Sequence, residues 1–135
     1  MNIYLKYIII SVLFIGIDTI WIFLNHSLYL DNIKEIQGSS FEPNYVYMIL
    51  TQMIMLIGLH MICIQFVYAN IEKYKDYNRN LVAFLSGGLY GFVVNSIYNL
   101  TSLVAYKKYS IKITIMDVLW ATTLYGSICT IYINL

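Results

Sequence analysis

Two aspartates, Asp18 and Asp117, stand inside otherwise uncharged apolar runs, and each is followed three residues later by a tryptophan, Trp21 and Trp120. A carboxylate at the middle of a lipid-embedded helix costs roughly 2.5–3.5 kcal/mol on insertion scales, so such a residue faces a helix partner or a wet cavity. Positions three apart are neighbours on a helix surface, so each indole N–H can approach the carboxylate of its own helix while the ring shields it from lipid. Paired carboxyls can anchor a ligand by accepting its hydrogen bonds, lock helices together, or act as general acid and base. Gly87, Gly91, Asn95, Asn99 and Ser102 fall within roughly 120° of one helix face at 100° per residue. The two glycines let another helix approach closely, and the three polar side chains are expected to hydrogen-bond across that interface. Tyr4, Ser11, Asp18 and Asn25 recur every seven residues, and this stripe too is expected to point inward.

The elements that must position these residues follow from the composition. Of 135 residues about 60% are apolar and 11% charged, far from a soluble domain, and a formal net charge of +1 provides no basic field for nucleic acid. The charges cluster, and the gaps between clusters are long enough for helices of about 20 apolar residues. The expected fold is all-α, an integral membrane bundle of four transmembrane helices near 4–26, 45–69, 80–105 and 112–133, forming one domain over 1–135. Runs such as Ile8-Ile9-Ile10 do not alternate and argue against a transmembrane barrel. Residues 1–24 lack a small-residue cleavage site and are expected to stay as a helix. Lys and Arg divide equally between the two sides, and only the terminal amine favours cytoplasmic termini.

Depth gathers the polar residues. At 1.5 Å per residue, Asp18 lies roughly 9 Å from the end of the first helix, Gln52 roughly 10 Å into the second, Asn99 roughly 9 Å from the end of the third and Asp117 roughly 7 Å into the fourth. All four share one layer near the 27–44 and 106–111 links, and a polar cavity opening toward that side is expected, with Asp18, Trp21, Gln52, Asn95, Asn99, Ser102, Asp117 and Trp120 as its residues. Met48, Met53, Met55 and Met61 are expected to pack in the core, and His60, some 12 Å deeper than Gln52, to be a satisfied helix contact. Cys63 and Cys129 read as small buried residues, and no motif calls for a metal or a cofactor.

Ile17-Asp18-Thr19-Ile20-Trp21, Gly88-Leu89-Tyr90-Gly91-Phe92, Ile97-Tyr98-Asn99-Leu100-Thr101-Ser102 and Thr114-Ile115-Met116-Asp117-Val118-Leu119-Trp120-Ala121-Thr122 together carry a resemblance. In this order and spacing the chain resembles the family of predicted four-helix membrane proteins called domain of unknown function 2177. Where that family typically shows Tyr-Asp-Leu-Thr-Asn, this chain has Tyr98 to Ser102, so Asn99 replaces an acid and Ser102 an amide. Asp18, Trp21, Asp117 and Trp120 match. The resemblance implies an integral membrane protein without an established activity and, at most, a connection to lipids.

Three functions are compatible with these residues. The first is a membrane protein that holds a lipid or small amphiphile in the polar layer, with membrane lipids as its partners. The second is a structural or assembly protein of a cellular or viral membrane. The third is a small lipid-modifying enzyme, which no nucleophile, metal set or cofactor motif supports. Transport would be a variant of the first and would require a homodimer, for which the Gly87/Gly91 face is one candidate interface.

Overall fold

The computed structural model describes residues 2–135. The first span is helix α1, Ile3–Leu24, and a short helix α2, His26–Gln37, follows it directly. The second span runs from α3, Tyr45–Ile57, through a π-helical stretch, Gly58–Cys63, into α4, Ile64–Lys73. The third and fourth are α5, Arg79–Ala105, and α6, Ile111–Asn134. These four spans are long and apolar enough to cross a membrane, and no strand occurs among the described residues.

Each span starts on a polar cap that satisfies amides the helix leaves open. Asn2, Asn44, Asn78 and Ser110 accept from the amides of Tyr4, Val46 and Tyr47, Asn80 and Leu81, and Ile113 respectively. α2 was not expected, since residues 27–44 read as a polar link. Its stop is Gly38, whose φ of 75° is the left-handed conformation that ends helices cheaply.

Hydropathy and burial run in opposite directions along the chain. The most apolar window of α1 has a mean hydropathy of 2.3 and is 11% buried within the protein, whereas that of α6 has 1.2 and is 44% buried. A helix surrounded by lipid must be apolar on most faces, while one surrounded by protein can carry threonine, serine and tyrosine. α6 is thus the central helix, packed along α5 on one side and α1 on the other.

The α5–α6 seam is made by small residues. A Cβ on Gly87 would lie 2.7 Å from the Tyr125 carbonyl oxygen and 2.8 Å from Cys129 Sγ, and one on Gly126 would lie 2.7 Å from the Phe84 carbonyl oxygen. Gly87 and Gly91 are therefore spent inside the chain, and that face is not available for pairing two copies. Against α1, α6 presents rings instead. Tyr7 meets Tyr132, Phe14 meets Tyr125 and Trp21 meets Trp120, with centroids 6.2, 5.0 and 4.4 Å apart. Numbers rising on one helix while falling on the other make the pair antiparallel.

Candidate functional site

The site lies where α1 ends and α6 begins. The antiparallel packing sets the two Asp-x-x-Trp segments head to tail, and the indoles of Trp21 and Trp120 stack almost parallel, with an interplanar angle of 5°. Offset-stacked rings are worth about 0.5–1.5 kcal/mol beyond the area they bury. The stack turns each N–H away from its own helix. Trp120 Nε1 donates to Asp18 Oδ1 at 3.0 Å, and Trp21 Nε1 donates to the Tyr29 hydroxyl at 3.1 Å, which in turn donates to Asp117 Oδ1. The expected pairing of each aspartate with the tryptophan of its own helix is thus replaced by a crossed pairing. Each helix supplies the acid for the donor set of the other.

Tyr29 was missed by reading the sequence because it sits in α2, and α2 lies over this end of the bundle. Asn32, buried, fixes that position: its amide donates to the Lys108 carbonyl at 2.8 Å, and its Oδ1 accepts from the Ser110 amide at 3.3 Å. The signals were present in Tyr29, Ile33 and Ile36, whose spacing of four and three suits one helix face, and in Gly38 as a stop. Burial first, and then Asp117 beside it, raise the Tyr29 phenol above its ordinary range. Burial likewise pushes Tyr109, in the α5–α6 link, up to about 12; its hydroxyl donates to Asn99 Oδ1 at 2.9 Å.

Between these elements lies a cavity of about 430 Å³. Asp18, Trp21, Tyr29, Asn95, Asp117 and Trp120, with His26 and Tyr125, supply its polar wall, and Ile22, Leu30, Ile33, Phe41, Met55 and Leu124 are prominent in its apolar wall. The size and the mix of an apolar lining with a few convergent polar groups are those of small-molecule sites. Of the residues expected here, Gln52, Asn99 and Ser102 do not line it. Gln52 lies beside Asp18 and Asn99 beside Asp117, so both support the carboxylates from behind. Gln52 Oε1 is buried without a partner.

Three further expectations are corrected. Asn95, Asn99 and Ser102 each return a hydrogen bond to the carbonyl four residues earlier, of Gly91, Asn95 and Tyr98, and of the three Asn99 also reaches across the interface, to Asp117. Tyr4 points outward, while Ser11 meets His60 and Asp18 is buried as expected, and a second inward stripe of α1, Tyr7, Phe14 and Trp21, is also spaced by seven. Met48, Met53 and Met61 are exposed on the outer surface, and only Met55 packs against the core. His60 shares a 2.9 Å hydrogen bond with Ser11 through Nε2 and lies against the Tyr7 ring, while its Nδ1 has no partner. Cys63 and Cys129 are buried free thiols with Sγ atoms 3.5 Å apart. Among the described residues no three His, Cys, Asp or Glu side chains gather to hold a metal ion.

Four apolar spans, with carboxylates buried only where aromatic donors meet them, define a multi-pass integral membrane protein. The chain belongs to the family described as predicted membrane protein (DUF2177), whose model matches residues 3–133. No curated protein and no solved structure matches it.

Proposed function

We propose that this protein binds a lipid or another small amphiphile in the cavity beneath α2, with Asp18 and Asp117 anchoring the polar head. The observation that carries the reading is the cavity itself: apolar walls for a chain, and two carboxylates on one side for a head. Burying two acids at this depth is costly, and a ligand that uses them offsets that cost. Native mass spectrometry of the protein released from detergent tests the reading. The parent is expected to carry a defined bound mass that Asp18→Asn and Asp117→Asn lose while remaining folded.

A second reading has its own support. Both carboxylates already accept hydrogen bonds from Trp120 and Tyr29, as they would if they served only to lock α1 and α2 onto α6. On that reading the parent flies without a ligand and the same variants lose stability.

A further inference from the structure

We infer that the head group this cavity takes is a protonated amine, so that the ligand is a cationic single-chain amphiphile and not a fatty acid. The inference rests on the binding function proposed above and concerns the chemistry of the same site.

Most donors around the cavity are already engaged within the protein. The Trp120 N–H serves Asp18, the Trp21 N–H serves Tyr29, and the Tyr29 hydroxyl serves Asp117. The Asn95 amide reaches the Gly91 carbonyl, and His26 Nδ1 is hydrogen-bonded to the Phe23 carbonyl. Beyond the Tyr125 hydroxyl, what the wall retains is acceptor capacity. The aromatic set reaches each carboxylate through Oδ1, and Gln52 and Asn99 add one amide contact each to Asp18 and Asp117, whereas an ionised carboxylate has about four acceptor positions over its two oxygens. Asp18 is nine-tenths buried and lines the cavity, so its remaining capacity faces a ligand more than bulk water.

No Lys or Arg lines the cavity. A carboxylate head would enter a low-dielectric space beside two acids, where the one basic side chain in the lining, His26, is tied to the Phe23 carbonyl through Nδ1, and like charges at short range repel strongly there. An amine head reverses both terms. It brings up to three donors to an acceptor-rich wall and a positive charge to an uncompensated pair of acids. It also suits either protonation state, because a neutral amine can take the proton of a neutral carboxyl and reach the same ion pair. The apolar wall then holds the chain, with Met55 and Phe41 adapting to its shape.

The test uses the full chain in a neutral, non-ionic detergent, titrated at neutral pH with dodecylamine, dodecanol and sodium dodecanoate. The chain has two tryptophans, and both line the cavity, so intrinsic fluorescence reports on this site. Dodecylamine is expected to give a saturable change at a concentration at least tenfold lower than either other probe. The double variant Asp18→Asn, Asp117→Asn is expected to reduce that preference to less than threefold. Leu30→Phe, which narrows the cavity and leaves both acids in place, is expected to weaken dodecylamine binding and covers the case in which the double variant does not fold. Equal or tighter binding of dodecanoate would overturn the head-group assignment and leave the cavity as a binding site. No saturable response to any probe would overturn the binding function as well. Undiminished dodecylamine binding in Leu30→Phe would place the amine outside the cavity and overturn the assignment.

Discussion

The α5–α6 seam and the α1–α6 seam share a helix and are built from different materials. Along the first, backbone approaches backbone at the glycines, whose missing side chains let the two helices close up. Along the second, ring meets ring at three levels, and hydrogen bonds from tryptophan and tyrosine close the end. A backbone contact tolerates no added atom, whereas side chains can change rotamer at modest cost. The α5–α6 pair thus fixes where α6 stands, and the cavity lies where α1 and α2 are held to α6 by side chains. The site occupies the adaptable half of the molecule.

The comparison breaks first at the glycines. Gly87→Leu should abolish the folded bundle, since its Cβ would meet the Tyr125 carbonyl and Cys129, and the cost should reach or pass the upper end of the usual ~1–3 kcal/mol for overpacking. Size-exclusion profile and thermal unfolding in detergent would show it. The matched control is Gly16→Ala on α1, where an added Cβ meets nothing within 4 Å. It should be neutral or stabilising by up to about 1 kcal/mol, and an unfolded Gly16→Ala protein would erase the distinction between the two seams.

Trp120→Phe should have the next largest effect. It keeps a ring against Trp21 but withdraws the donor from Asp18, at an expected loss of about 1–3 kcal/mol for a buried acceptor left short. Thermal unfolding beside Gly87→Leu would rank the two seams directly. Tyr29→Phe should act more locally. Losing its two hydrogen bonds, α2 should exchange its amide hydrogens faster over residues 26–37 while α5 and α6 keep their protection, as hydrogen exchange read by mass spectrometry would show.

The smallest effect concerns pH. The Tyr109 phenol moves from 10.0 to about 12 on folding, chiefly through burial. A raised pKa contributes stability that is complete below the unfolded value and lost as pH climbs through the folded one, so the contribution should fade between pH 10 and 12. Unfolding measured across that window should decline more steeply in the parent than in Tyr109→Phe.

The spans were legible because lipid imposes one demand on all of them, a long uncharged apolar run, and the charged links mark its ends. The same demand hides what lies beyond the spans. Met48, Met53 and Met61 face outward and Met55 inward, yet lipid and core accept methionine equally, so composition could not separate them. The residues of the Asp-x-x-Trp pairs could be named from spacing, but their crossed partners could not, since those depend on which helices lie side by side and in which sense. α2 escaped notice because polar residues dominate its twelve positions and a link was an adequate reading of them.

The Trp120 to Asp18 hydrogen bond spans 102 positions of the chain, and this has a consequence for how the protein is made. During synthesis the first helix enters the membrane with its aspartate long before the segment holding the matching indole leaves the ribosome. α1, which packs chiefly on α6, must wait in lipid as an incomplete half of the pair. The last helix is then the keystone of biogenesis, and a chain arrested after α5 would expose a carboxylate that quality-control machinery could recognise.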